Sequence, residues 1–403
     1  MRSFILDDSV VELIVGAIAR SVHSKTHRRG RAPSQDCLAA TPSKEIVRQL
    51  IIDSFWASYM KEEERTIRFS LAFSDSSEAE GSFKFERPIP FDSNSVVKLC
   101  PALQHTRQII GVTETKGGLE IWGFQTKLKL PFSIGDREDS LLIETIEPGR
   151  LSIRYNDPIC ILEGQETVFI DSEVVPRFLD EPWKGLYPIE TRAGVIRARK
   201  DALLAIAQEV REIGHGGILI VVPEGFDLSD SKLEIPYSPE AEFDRAKRAF
   251  ERVYCEPVKV KRGQPRWWAY TNPSAERQLL QQGFKEELRM IARLSSVDGA
   301  VVVSPEFDLL AFGAKINKRT TDRVQSIIIS EPKKGTEQRR VPIGKWLRGT
   351  RHKSAAQFVM DQPGSIAFVV SQDGMISLMT AGHNKGEVLV YQHLEYLTAL
   401  DKE

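Results

Sequence analysis

Two short segments in the last third of the chain combine residue types that chemistry on nucleotides or metal ions requires. One is Asp298-Gly299-Ala300, which stands immediately before an apolar run, and the other is Gly349 to Ala356, which carries three consecutive cations. A carboxylate at the edge of a strand is able to bind a divalent cation or a ribose hydroxyl. Such a tripeptide is most often only a turn, so its interpretation depends on the second segment.

The second segment, Gly349-Thr350-Arg351-His352-Lys353, enters a predicted helix and indicates an anion site. The glycine lets backbone approach a ligand, and Thr350 is expected to cap the helix and donate a hydrogen bond. Free N–H groups at a helix N-terminus favour an anion, whereas cations there oppose the helix dipole. A bound polyphosphate would remove that conflict, and a solvated basic turn is the alternative.

Hydrophobic periodicity and turn residues divide the chain into four regions. They are a helical segment at 1–62, a β-rich region at 63–190, an α/β region at 191–271 and a further domain at 272–403. Within these regions, helices are predicted at 43–60 and 350–361, a strand at 366–370, and a basic loop from His23 to Arg31. The last region predicts a mixed β-sheet flanked by helices, so the expected fold class is multidomain, α/β and α+β.

The composition is that of an ordinary globular protein and excludes several classes. Lys and Arg total 55 against 56 Asp and Glu, so the charge gives no overall attraction to nucleic acid or anionic membranes. The four cysteines form no CxxC pair, which argues against a cysteine zinc site and favours reduced thiols. Without a signal pattern or an apolar run of ~20 residues, a cytoplasmic protein with no membrane partner is expected.

Taken together and in this order, the two segments resemble the diadenylate cyclase family, over about residues 272–400. The family pattern is matched at Asp298, Gly299, Ala300, Gly349, Thr350, Arg351, His352 and Ser371. It departs at Lys353, where the family usually has Arg, and a lysine lacks the bidentate fork of a guanidinium. It also departs at Gln372 and Asp373, where the family usually shows two Glu.

The resemblance implies a nucleotidyltransferase that joins two ATP molecules into cyclic di-AMP and releases pyrophosphate. It assigns Asp298 to a Mg²⁺ or Mn²⁺ ion and to activation of the 3′ hydroxyl, while Gly299 leaves room for the nucleotide. Residues 350–353 would hold the triphosphate, Ser371 would bind phosphate and Asp373 would aid the metal. Since each domain would bind one ATP, two copies would meet face to face, and the N-terminal region would regulate them.

A third segment, from Gly214 to Glu224, resembles the sensor region of DACNV type that precedes cyclase domains in some bacteria. It consists of a glycine-rich turn followed by an apolar strand candidate. The resemblance implies that an unidentified signal regulates the enzyme. The simpler interpretation of the residues themselves is a glycine-rich turn in which His215 forms hydrogen bonds with nearby residues.

Two basic segments leave a nucleic acid partner open without favouring it. One runs from Lys25 to Arg31, and the other joins the cations of 259–266 to Trp267, Trp268 and Tyr270. Cations beside aromatic rings are able to bind single-stranded nucleic acid, but solvated loops and linkers are more common. A nucleic-acid-responsive regulatory protein therefore remains an alternative. The departures at Lys353 and Gln372 leave a second one, a degenerate cyclase domain that only binds nucleotide.

Overall fold

The computed structural model describes most of the chain, and its described residues form two compact units. The described ranges are 4–29, 42–62, 65–74, 82–103, 108–126, 140–155, 157–171, 180–183, 186–187, 193–229, 233–240, 243–256, 275–316, 324–335, 337–346 and 349–398. One unit comprises the described residues up to 171 and the other those from 180 to 398. Within these ranges, no helix is both long enough and apolar enough to cross a bilayer.

The first unit combines helices with an eight-stranded mixed sheet. Its helices are α1 (Asp8–Arg29), α2 (Lys44–Tyr59) and α3 (Ser93–Leu99). Its strands are β1 (Lys61–Glu62), β2 (Arg65–Thr66), β3 (Ser70–Phe73), β4 (Phe83–Pro90), β5 (Gln108–Thr115), β6 (Gly118–Thr126), β7 (Leu141–Glu147), β8 (Arg150–Tyr155), β9 (Asp157–Glu163) and β10 (Glu166–Phe169). The sheet order is β10-β9-β8-β7-β3-β5-β6-β4, with β3 and β5 parallel, while β1 and β2 pair separately.

The helices of this unit cover one face of the sheet. Helix α2 begins after Ser43, whose hydroxyl accepts a hydrogen bond from the Ile46 N–H at 3.3 Å. Its apolar stripe, which includes Val47, Leu50 and Ile51, is buried in one core with residues of α1 and the strands. The predicted helix at 43–60 is therefore confirmed.

The predicted loop from His23 to Arg31 is wrong for most of its length, because α1 continues to Arg29. Polar side chains lower helix propensity only slightly, and residues 23–29 contain no glycine or proline. The side chains of this basic segment, and all of the second basic segment at 259–270, lie outside the described residues.

The second unit contains a nine-stranded mixed sheet with helices on both faces. Its helices are α4 (Ala193–Ile213), α5 (Arg245–Phe250), α6 (Ala275–Arg293), α7 (Thr350–Asp361) and α8 (Glu395–Thr398). Its strands are β11 (Gly217–Val221), β12 (Leu233–Glu234), β13 (Ala300–Val303), β14 (Leu309–Ile316), β15 (Ser326–Ser330), β16 (Arg339–Pro342), β17 (Ile366–Val370), β18 (Ile376–Ala381) and β19 (Glu387–Tyr391). The sheet order is β12-β14-β13-β11-β17-β18-β19-β15-β16.

The central strands β11, β13 and β17 are buried along their whole length, as expected of apolar runs in a sheet covered on both faces. One face packs against α7 through residues such as Ile220, Val369 and Phe358. The opposite face is covered by α4, which contacts β11, β17 and β18 and carries buried side chains such as Leu203, while α6 packs against α4.

Strand β11 joins two regions that the sequence separates at residues 271 and 272. It pairs parallel with β13, with Ile218 opposite Ala300, and antiparallel with β17, with Gly217 opposite Val370. The predicted boundary therefore falls inside one sheet. An apolar run identifies a buried strand but carries no information on which distant strands will flank it, so periodicity alone divided this unit in two.

A cluster of ion pairs fixes α4 and α5 to the turn between β13 and β14. Glu306, in that turn, accepts Arg199 Nη2 at 2.6 Å and Lys247 Nζ at 2.7 Å. Burial raises the pKa of the Glu306 carboxyl, but the hydrogen bond from Lys247 and the charge of Arg199 outweigh it, so the pKa lies below its ordinary value. The turn is further closed by Ser304, whose hydroxyl donates to Asp308 at 2.7 Å.

Because β11 is central, truncating its inward side chains should cost more stability than truncating an exposed apolar side chain. Ile220 is fully buried, whereas Leu279 on α6 is 69% exposed. We expect Ile220→Ala to lower the free energy of unfolding by about 2–5 kcal/mol, and Leu279→Ala by less than about 0.5 kcal/mol. Equal losses in chemical denaturation would show that β11 is not a core strand.

Candidate active site

A polar cleft of about 250 Å³ lies at one edge of the nine-stranded sheet. It is lined by His215, Gly216, Gly217, Ser295, Ser296, Val297, Asp298, Gly299, Arg351 and Gln372. The ionisable groups among these residues are one carboxylate, one guanidinium and one imidazole. The cleft thus combines residues of four separate segments of the sequence.

The sheet register brings three of these segments together. Strands β11 and β13 are parallel, so the residues preceding each strand meet at the same edge. Strand β17 runs antiparallel to β11, so its carboxyl end reaches that edge as well. His215-Gly216, Asp298-Gly299 and Gln372 are therefore adjacent because of strand pairing.

Asp298 and Gly299 lie where the sequence predicts them, at the entrance to β13. Asp298 is exposed in the cleft and makes no hydrogen bond or ion pair with any described residue. Gly299 has a φ of +130°, and a Cβ there would lie 2.3 Å from the carbonyl carbon of Gly313. A glycine is thus required at position 299 because β14 approaches the backbone closely there. The sequence had predicted a different reason, namely that the glycine leaves room for a nucleotide. Ala300 is the first residue of β13 and is fully buried.

Helix α7 delivers Arg351 to the same cleft. The N-cap of the helix is Gly349, which has no side chain that could accept a capping hydrogen bond. The predicted capping by Thr350 is therefore wrong. Thr350 is instead the first helical residue and is exposed. Arg351 is exposed, lines the cleft, and forms no hydrogen bond or ion pair within the described part of the chain.

The other two basic residues of the segment do not line the cleft. His352 is only 5% exposed, and its Nε2 lies 3.4 Å from the hydroxyl of Ser377 on β18. Its ring also makes an edge contact with Trp346, with centroids 5.9 Å apart. Lys353 is exposed on a different side of the helix. Of residues 351–353, only Arg351 is placed to bind a ligand in the cleft.

The segment after β17 forms a turn that presents Gln372 to the cleft. The Ser371 hydroxyl donates to the carboxylate of Asp373 and accepts from the Met375 N–H at 3.0 Å. Ser371 and Asp373 therefore hold the turn, and neither lines the cleft. Gln372 occupies the position at which the resemblance would place a glutamate.

A divalent metal ion fits the donors of the cleft only if a ligand supplies further oxygens. Among the described residues, no group of three or more His, Cys, Asp and Glu side chains is arranged to hold a metal. Asp298 is the one carboxylate that lines the cleft. Mg²⁺ is commonly bound by one or two carboxylates together with substrate phosphates, so this single carboxylate fits a metal that arrives with a polyphosphate.

The sequence missed one ionisable group in the cleft, His215. Its segment is a glycine-rich turn before a buried strand, and that pattern alone does not show that the strand ends beside Asp298. The serines of the short 3₁₀ helix Leu294–Ser296 were also missed. They line the cleft because this helix leads directly into Asp298.

These features define a two-unit mixed α/β protein with a polar cleft at a sheet edge in its second unit. Residues 36–126 match the family model of a probable sensor domain, DACNV. The matched stretch includes α2, α3 and strands β1 to β6 of the first unit. A search among curated proteins found no match.

The match supports the prediction of an N-terminal sensor region and corrects its position. The segment from Gly214 to Glu224, which suggested the DACNV type, lies outside the matched residues. It forms β11 of the nine-stranded sheet and the turn before it. A short glycine-rich segment followed by an apolar strand occurs in many folds, so it could not locate the sensor.

The different burial of Arg351 and His352 gives a test of their roles. His352→Ala should lower the free energy of unfolding by about 1–3 kcal/mol, because it opens a cavity and leaves the Ser377 hydroxyl without its partner. Arg351→Ala should leave the melting temperature unchanged within about 1 °C, because the side chain is exposed. A stable His352→Ala protein would contradict this assignment.

Two glycines of the predicted motifs should respond differently to alanine. Gly299→Ala combines a left-handed φ with a backbone clash and should cost more than about 2 kcal/mol of stability. Gly349→Ala should cost little, since φ is −65° and a Cβ there meets nothing within 4 Å. Thermal or denaturant unfolding of both variants measures the difference, and equal stability would refute the structural role of Gly299.

Proposed function

We propose that this protein is a diadenylate cyclase, which condenses two ATP molecules into cyclic di-AMP with release of pyrophosphate. The observation that carries the proposal is that Asp298 and Arg351, from the two segments that resemble the family, line one cleft. Neither side chain is engaged by another described residue, so both are available to a ligand. The match to a probable sensor domain supports regulation of the enzyme by the first unit.

In the proposed reaction, the 3′ oxygen of one ATP attacks the α-phosphorus of another. A bond forms between them, the bond from the α-phosphorus to the bridging oxygen breaks, and pyrophosphate leaves. The proton of the 3′ hydroxyl passes to the carboxylate of Asp298. Arg351 binds the triphosphate and orients it, and the second condensation closes the ring. Such chemistry depends on positioning and charge neutralisation more than on covalent catalysis.

Asp298 would hold a Mg²⁺ or Mn²⁺ ion together with phosphate oxygens of the nucleotide. When bound, the ion supplies charge neutralisation at the phosphates and lowers the pKa of a coordinated hydroxyl. The chain's own contribution is to fix that carboxylate at the entrance to β13, where Gly299 and Gly313 set the backbone path.

Two copies of the second unit would meet with their clefts facing, because each cleft would bind a single ATP. The active form is then a homo-oligomer, and any signal that changes the pairing of the clefts would change the rate. The first unit, part of which matches a probable sensor domain, would receive that signal.

The decisive experiment incubates the purified full chain with ATP and Mg²⁺ or Mn²⁺ and detects the product by mass spectrometry. We expect cyclic di-AMP from the wild type and a loss on the order of 10²-fold or more for Asp298→Asn. Asp227→Asn is the matched control, since Asp227 is exposed, lies in the same unit and is outside the cleft. Parallel reactions with the other three NTPs measure nucleotide choice.

An Asp298→Asn protein that still forms the product at the wild-type rate would refute the role of Asp298. Absence of product from the wild type, with ATP binding retained, would instead favour a degenerate domain that senses nucleotide. Specific observations favour that second candidate. His352 is buried, Lys353 does not line the cleft, and Gln372 stands where the resemblance places a carboxylate.

A further inference from the structure

The cleft contains fewer cationic contacts for a triphosphate than the sequence of α7 suggests. His352 is buried and Lys353 does not line the cleft, so Arg351 is the one basic side chain of α7 that is placed to bind the triphosphate. A triphosphate held beside Asp298 needs more than one donor to offset its charge. The remaining ionisable group of the cleft is His215, which belongs to a different element.

The backbone around His215 is built to present its ring to the cleft. The flanking residues Gly214 and Gly216 have φ values of +83° and +66°, in the left-handed region that favours glycine. A Cβ at Gly216 would lie 3.0 Å from Arg351 Nη1 and 2.7 Å from the Val370 carbonyl oxygen. The turn thus packs directly beside the guanidinium, and a side chain at position 216 would displace it.

The imidazole is also free to bind a ligand. His215 is exposed and makes no hydrogen bond or ion pair with any residue that the structure describes. Its position follows from β11, whose first residue, Gly217, is held opposite Val370 in the sheet. The sheet therefore fixes the turn that carries the ring, and no residue in the described part of the chain engages the imidazole.

We propose that His215 is a nucleotide-binding residue, which donates a hydrogen bond to the phosphates of ATP from the side of the cleft shared with Arg351. This inference rests on the proposed function, since it takes the cleft to be the ATP site. The contact is to phosphate rather than to the nucleoside, because the turn that carries the ring lies beside the Arg351 guanidinium. His215 acts in binding, so it should affect KM more than kcat.

The test compares binding of ATP with Mg²⁺ and binding of adenosine by calorimetry, in full-length His215→Gln, His215→Lys and Arg351→Ala. We expect His215→Gln to weaken ATP binding about tenfold and to leave adenosine binding unchanged, because a hydrogen bond to a charged group is lost. His215→Lys should restore affinity to within about threefold of the wild type. In the cyclase assay, His215→Gln should raise KM about tenfold with kcat within about threefold.

His383→Gln is the matched control, since His383 is 79% exposed in the same unit and lies outside the cleft. Wild-type ATP affinity in His215→Gln, together with a loss in Arg351→Ala, would overturn this inference and leave the proposed function standing. An equal loss of ATP and adenosine affinity would also overturn it, by placing the contact on the nucleoside. A wild-type chain that binds no ATP would overturn both.

Discussion

The pairing of β11 with β13 and β17 is the constraint on which the cleft of the second unit depends. Parallel pairing with β13 puts the amino ends of β11 and β13 at one edge of the sheet. Antiparallel pairing with β17 adds the carboxyl end of that strand. Three of the four segments that line the cleft are continuous with strands that are buried along their whole length, so the sheet fixes their positions.

Much of the local structure follows from sequence patterns, because the patterns there are strong. The predicted helix at 350–361 coincides with α7, and the predicted strand at 366–370 coincides with β17. The order of strands could not be predicted in this way, since it depends on non-local pairing that propensity does not encode. The same limitation separated β11 from the sheet that contains it.

The two segments that the sequence indicated meet at the cleft, but several of the residues assigned to the ligand do not line it. His352 stands three, four and seven residues before Ala355, Ala356 and Val359, and all four are buried on one face of α7. That spacing identifies His352 as a core residue, and it was available from the sequence alone. The position of His215 was not available, because it required the neighbours of β11.

The separation of the cleft residues along the chain has a consequence for biosynthesis. Ile218 and Ala300 face each other across the sheet, and Val370 closes the other side, so the site does not exist until the chain has been made past residue 372. Pairing over such sequence distances is slow compared with local helix formation. A ligand of this cleft therefore acts on the finished sheet alone, where it stabilises the mature fold without assisting the emerging chain.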